Sequence, residues 1–128
     1  GSSDAYLCRF NKIFNDLDKF DPQLEWIRYY NNTGSSKATH MLMDANNMYL
    51  LSTVKSGTDK SSTISVISTG LDGNDPVFLP VGGASQMVSR NFSFTTDGGF
   101  IITGTNTNKD ITDISSMVLI KTKAGGKL

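Results

Sequence analysis

Apolar residues in this chain fall into short segments that are separated by runs of glycine, serine, threonine, asparagine and aspartate. Clear examples lie at residues 4–10, 24–30, 38–43, 62–68 and 116–122. Short apolar segments bounded by turn-forming residues are typical of β-strands. The sequence Asp-Gly-Gly at 97–99 adds a tight-turn signal, because glycine adopts positive φ at no steric cost. The pattern therefore predicts an all-β protein.

One segment departs from this pattern. Its apolar residues recur at the spacing of one helix face: Phe10, Ile13, Phe14 and Leu17. Pro22 then ends the segment, since the residue before a proline avoids the α region. We therefore predict one short helix near 11–20, and a structured loop with buried phenylalanines is the alternative.

The chain also contains an internal repeat. Residues 44–53 align with residues 96–105, which lie 52 positions later. A second unit occurs three times, at spacings of 58 and 54 residues, in the segments 4–10, 62–68 and 116–122. A repeat of roughly 50 residues with four short strands has the size of one β-propeller blade.

The phase of the repeat gives an expected domain organisation. We predict a single repeat-built β domain over 1–128, with a partial blade at about 4–31, a full blade at about 37–82 and a partial blade at about 85–128. Counted as short antiparallel strands, this is two, then four, then three, or roughly nine strands in about two and a half blades. A closed ring needs at least about four blades. We therefore expect either a fragment of a longer propeller or separate chains that complete one another's blades as a homo-oligomer.

Five sequence features follow one another in a fixed order: Asp4-Ala5-Tyr6-Leu7 with Arg9, Trp26 with Tyr30, Ala38 with Met41, the run at 97–105 and a restart at 118–126. This order resembles a bacterial repeat family of exported and cell-surface β-propeller proteins. Its units read roughly D-x-x-L-x-K-x-D, G-x-x-x-W-x-x-x-Y, A-x-x-M and D-G-G-Y/F-I-x-x-G-x-T. The resemblance implies an exported, periplasmic or cell-surface location. A parent protein held at the cell surface by a lipid anchor is one form of this expectation.

Two positions depart from the family pattern. Asn46-Asn47 stands where the family has paired glycines. This replacement is compatible with a tight turn, because asparagine, like glycine, adopts left-handed conformations. The second copy has Phe78 near the position that Trp26 occupies in the first.

Charge and composition exclude several classes of partner. Lysine and arginine total 12, and aspartate and glutamate also total 12. This balance argues against nucleic acid, which requires a basic surface, and against a polybasic membrane-docking patch. The polar character comes from 15 serines, 13 threonines and 10 asparagines, which favour strands and turns over helices. No stretch approaches the roughly 20 apolar residues of a membrane span.

Catalytic chemistry has few candidate groups. The single cysteine, Cys8, and the single histidine, His40, are far apart in sequence and neither lies in a nucleophile motif. We expect Cys8 to be a buried, inert thiol in a strand and His40 to lie on an inner strand. The sequence predicts no catalytic residue, no cofactor and no enzymatic activity.

Aromatic residues near the end of the second segment are the candidate ligand-binding residues: Trp26, Tyr29 and Tyr30. An aromatic platform of this kind can stack on a sugar ring. The alternative is that Trp26 packs between neighbouring blades, where its large apolar area contributes most to stability.

Acidic residues form two candidate metal sites. One contains Asp16, Asp18 and Asp21, and the other contains Asp72 and Asp75. Calcium requires several oxygen ligands that converge from a loop. Neither group follows the spacing of a calcium loop, so solvated turn residues are the alternative in both places.

Three functional hypotheses follow. The first is a non-enzymatic interaction or scaffold module of an exported or cell-surface propeller protein. The second is a glycan-binding, lectin-like propeller assembled from several short chains. The third is a fragment of a propeller enzyme. Fold alone does not choose among them.

Overall fold

A computed structural model describes residues 3–11, 22–30, 34–56, 61–82, 86–107 and 114–128. Within these ranges the chain forms nine strands and one short 3₁₀ turn at Ala124–Gly126: β1 (Ala5–Asn11), β2 (Gln23–Tyr30), β3 (Ser35–Met43), β4 (Asn47–Lys55), β5 (Ser62–Gly70), β6 (Val77–Pro80), β7 (Gln86–Phe94), β8 (Phe100–Thr107) and β9 (Ser115–Lys121). The predicted all-β class and the predicted number of strands are confirmed. The helix predicted near 11–20 falls on residues outside the described ranges, apart from Asn11, which ends β1.

The strands form two sheets. β1 and β2 pair as an antiparallel hairpin, and the other seven strands form one sheet in the order β3-β4-β5-β7-β8-β9, with β6 also paired to β5. Every pairing is antiparallel except that of β5 with β7, which is limited to the residue pair Ser62 and Gln86. The larger sheet therefore consists of two antiparallel segments, β3–β6 and β7–β9, that are joined at one point.

Two apolar clusters hold these three groups of strands together. The larger cluster lies between the two segments and contains Leu51, Ile64, Val66, Val81, Phe92, Phe100 and Ile102. The smaller one joins the hairpin to β3–β6 and contains Ala5, Tyr30, Leu50 and Ile67. Full burial of one aliphatic side chain of this size contributes about 1.5–3 kcal/mol. The segment β3–β6 is thus covered on both faces.

The turn between β3 and β4 is held by a side chain. Asp44 Oδ1 accepts hydrogen bonds from the backbone N–H groups of Asn46 and Asn47, each at 2.8 Å. Among the described residues, Asp75 is the one residue other than glycine with positive φ. The expectation that the two asparagines use left-handed conformations is therefore wrong, because Asp44 stabilises a turn that does not need them.

The turn between β7 and β8 uses glycine instead. Gly98 has a φ of 81°. At Gly99, a Cβ atom would lie 2.2 Å from the carbonyl oxygen of Thr122, so the backbones approach too closely for any side chain. The buried Thr122 hydroxyl accepts a hydrogen bond from the Phe100 N–H at 2.9 Å. These contacts explain the Asp-Gly-Gly-Phe run.

Replacing Thr122 by valine is expected to lower the free energy of unfolding by about 1–3 kcal/mol, because it leaves the buried Phe100 N–H without an acceptor. Thr122→Ser keeps the hydroxyl and serves as the matched control. Urea denaturation followed by circular dichroism measures both variants. A valine variant as stable as the serine variant would contradict the assigned role of this hydroxyl.

Asp97→Asn is expected to reduce the loss of stability in acid. The hydrogen bond from Lys121, with help from Thr95 and the Gly99 N–H, lowers the pKa of Asp97 to about 2 from its usual 3.8. Because the pKa is lowered by folding, the stabilisation is complete above about pH 4 and is lost as the pH falls towards about 2. Urea denaturation at about pH 5 and about pH 2.5 tests this window.

Lys121→Gln removes the cation of the same 2.7 Å ion pair. It should reproduce part of the reduced loss of stability in acid. If Asp97→Asn retains the wild-type pH dependence, the ion pair is not the source of acid sensitivity.

Candidate functional site

The hairpin of β1 and β2 presents one face to the rest of the protein and one face to solvent. Tyr6 is paired with Tyr29, and Cys8 with Ile27, on the outward face. Tyr6 is 57% exposed and Tyr29 is 65% exposed. Their ring centroids are 6.2 Å apart, with an angle of 48° between the ring planes. We call these four residues the tyrosine face.

Tyr30 lies on the opposite, inward face of the hairpin because successive side chains on a strand alternate. It is buried, and its hydroxyl donates a hydrogen bond of 2.9 Å to the carbonyl oxygen of Gly73, in the turn after β5. Burial raises the pKa of Tyr30 above its ordinary value. Tyr30 therefore stabilises the packing of the hairpin against the segment β3–β6.

Trp26 shares this inward face and is half-buried. The Arg28 guanidinium carbon lies 5.2 Å from the centroid of the indole ring, within the range of a cation–π contact. Gly73 lies so close to the indole that an added Cβ atom would be 2.9 Å from the ring. The ring therefore packs between the hairpin and the neighbouring segment. Of the three predicted aromatic residues, Tyr29 alone faces outward, and its partner Tyr6 was missed.

The turn after β5 contains the second predicted acidic pair. Both carboxylate oxygens of Asp72 accept hydrogen bonds from Asn74, one from its backbone N–H and one from its side-chain amide. These bonds lower the pKa of Asp72. Asp75 is exposed and has a φ of 55°. The Arg28 side chain donates to the Asn74 side-chain oxygen at 3.1 Å, so this turn also contacts the hairpin.

Metal-ligand clusters were sought among the described residues, and no group of three or more histidine, cysteine, aspartate or glutamate side chains was found there. Asp72 and Asp75 therefore have no third ligand of these types within the described ranges. Asp16, Asp18 and Asp21 lie outside the described residues.

Cys8 and His40 are on different groups of strands. Cys8 lies on the hairpin and is half-buried. The His40 ring makes an edge contact with Phe92 at 5.5 Å between centroids, in the space between β3 and β7. The two residues thus lie on different groups of strands, and no described contact joins them as a nucleophile and base.

A second exposed apolar surface lies on β9, the last strand in the order of the larger sheet. On β9, Met117 is 90% exposed and Leu119 is 70% exposed. They pair across strands with Thr105 and Thr103 of β8 and therefore share one face of the β7–β9 segment. We call these four residues the methionine face. The apolar run at 116–122 is the sequence signal for this surface. A strand that is apolar on both faces needs a layer of protein on each face.

A scan against protein-family models and searches of curated proteins and of solved structures find no match to this chain. A search of the described residues for a helix long and apolar enough to cross a membrane finds none.

Trp26→Ala is expected to destabilise the fold by about 2 kcal/mol, less than the roughly 3–5 kcal/mol of a fully buried aromatic, because part of the ring remains in water. Tyr29→Ala, on the same strand but the outward face, should cost under about 1 kcal/mol and is the matched control. Urea denaturation followed by circular dichroism compares the two. Equal stability of both variants would show that Trp26 does not hold the hairpin in place.

Proposed function

We propose that this chain is a non-enzymatic interaction module built from propeller-like blades, within an exported or cell-surface protein. Its role is to join β-sheets face to face through its two exposed apolar ends. The exported location follows from the family resemblance of the sequence, and the interaction role from the geometry of the sheet faces.

The pairing registers support a repeated blade. The hairpins β3–β4 and β7–β8, which begin the two segments of the larger sheet, each contain a β-bulge. One bulge lies between Ala38 and His40 and the other between Ser89 and Asn91. The extra residues are Thr39 and Arg90, which are 51 positions apart. A bulge adds a kink and extra twist to its strand. Two hairpins with the same kink at the same place are expected of successive blades.

The methionine face carries the proposal. Counted from the first residue pair of each hairpin, Met117 and Leu119 of β9 occupy the positions that Ile64 and Val66 occupy in β5. Ile64 and Val66 are fully buried, because the segment β7–β9 covers them. The corresponding face of β9 is uncovered within the described structure. An exposed apolar face of this kind marks an interaction site.

The tyrosine face is the complementary end. It is the outward side of the first group of strands, whereas the methionine face is the outward side of the last group. Inside the chain, each group of strands packs one face on the next group. The same packing between chains would join the methionine face of one sheet to the tyrosine face of another. This contact is head to tail, so it can extend or close into a ring.

A second function, glycan binding, is supported by the tyrosine pair itself. Tyr6 and Tyr29 are both more than half exposed and lie side by side. Their rings have apolar faces and carry hydroxyl groups at the solvent-exposed edge. This combination suits a ligand that is apolar on one side and polar at its periphery. This function would use one face of the molecule, whereas sheet stacking uses both.

The two functions can be separated with paired variants. We expect the wild-type chain to associate with increasing concentration, and both Tyr6→Ser/Tyr29→Ser and Met117→Ser/Leu119→Ser to remain monomeric. Mixing the two double variants should restore a one-to-one complex, because each retains the face that the other has lost. Sedimentation velocity measures all three samples.

Glycan binding predicts a different result. On a glycan array, the tyrosine variant would lose the signal and the methionine variant would retain it. A wild-type chain that stays monomeric at every concentration, or variants whose mixture does not form a complex, would contradict stacking between copies.

A further inference from the structure

A cleft of about 410 Å³ lies between the first strands of the two segments, β3 and β7, with residues of β4 along one side. It is separate from the tyrosine and methionine faces. The residues that give it its chemistry are Lys37, Thr39, Thr53, Lys55, Ser89 and Arg90. We call it the basic cleft.

The charge of the cleft is local. The whole chain has a formal net charge of zero, yet two lysines and one arginine line this one cleft and none of the described lining residues is acidic. Salt bridges within the described ranges join Arg9 to Glu25 and Lys121 to Asp97. The three cationic residues of the cleft therefore have no carboxylate partner among the described residues, so the charge around the cleft is positive.

The floor of the cleft is a fixed group of hydroxyls. Ser89 Oγ is 2.9 Å from Thr39 Oγ1 and 3.0 Å from Thr53 Oγ1. The Ser89 N–H donates to Thr53 Oγ1 at 2.9 Å. Ser89 and Thr53 are buried. This network joins three strands and holds polar groups in place at a site that apolar side chains could have filled.

The two β-bulges point to the same place. Thr39 is the extra residue of the bulge in β3, and Arg90 is the extra residue of the bulge in β7. Both line the basic cleft. Bulges redirect a side chain relative to the regular strand and are frequent next to functional sites. Two bulges from different hairpins thus each contribute a residue to the lining of one cleft.

We propose that the basic cleft binds a tetrahedral oxyanion, a phosphate or sulfate, either free or as an ester group of a larger ligand. The Arg90 guanidinium supplies planar, paired N–H donors that match such oxygens, and Lys37 and Lys55 supply two further charges. The hydroxyl floor joins the walls of the cleft at its base and keeps that base polar. The cleft lies within the described chain and exists whether or not further sheets stack on its ends.

The test is a titration of the isotopically labelled chain with inorganic phosphate, followed by the backbone amide resonances in NMR. Sodium chloride keeps the ionic strength constant, because screening alone changes the shifts of exposed charges. We expect saturable shifts that cluster at Lys37, Thr39, Ser89 and Arg90. Shifts that do not saturate, or that spread evenly over the surface lysines, would overturn the proposal.

Variants identify the binding groups. Arg90→Gln and Lys37→Gln each remove one charge from an exposed position and are expected to weaken phosphate binding by about tenfold, or about 1.4 kcal/mol. Lys127→Gln, outside the cleft, is the matched control and should bind like the wild type. The dispersion of each spectrum shows that the variant is folded. Unchanged affinity in a folded Arg90→Gln variant would also overturn the proposal.

A parallel titration with glycerol 2-phosphate distinguishes the two sources of the anion. Tighter binding of the ester than of inorganic phosphate supports an ester group on a larger ligand, and weaker binding supports the free ion. The same set of resonances must shift in both titrations. Binding of the ester at a different set would contradict the assignment to this cleft.

Discussion

Burial of β4 and β5 on both faces is the constraint on which the rest of the fold depends. Leu50 and Leu51 are neighbours on β4 and point to opposite faces, yet both are buried. A strand with this pattern needs a layer of protein on each side. The hairpin β1–β2 supplies one layer and the segment β7–β9 supplies the other. Within the described residues the end groups lack that cover on their outer sides, and Tyr6, Tyr29, Met117 and Leu119 are exposed there.

Much of this arrangement was predictable from local sequence signals. Turn residues and short apolar segments predicted the all-β class, and the repeat predicted roughly nine strands. The residue-by-residue alignment of one repeat with another was less accurate than these predictions. Sequence superposition places Tyr6 on Ile64, but Tyr6 is exposed and Ile64 is fully buried, whereas the neighbouring Ala5 is buried. An error of one residue exchanges the two faces of a strand, so a repeat can be recognised while its faces are misassigned.

The candidate sites depended on information that lies outside any single segment. Trp26, Tyr29 and Tyr30 are close in sequence, but alternation along β2 sends Tyr29 outward and the other two inward. The partner of Tyr29 is Tyr6, which is set by the register of the hairpin. The acidic pair Asp72 and Asp75 was visible in the sequence, but the hydrogen bonds that engage Asp72 within its own turn were not.

The basic cleft was harder still to predict, because Arg90 of β7 joins the cross-strand partners Lys37 and Thr53 only after the two segments pack. Their meeting depends on the same packing that buries β4, since the face of β4 that contains Leu51 also contains Thr53. Towards one end of β4 this face contributes to the apolar cluster, and towards the other it contributes to the hydroxyl network with Ser89. One interface between the two segments of the larger sheet therefore has an apolar part and a polar part that borders the basic cleft. Stacking of further sheets on the outer faces would leave this polar part unchanged, so the proposed association and the proposed anion binding would use separate surfaces of the chain.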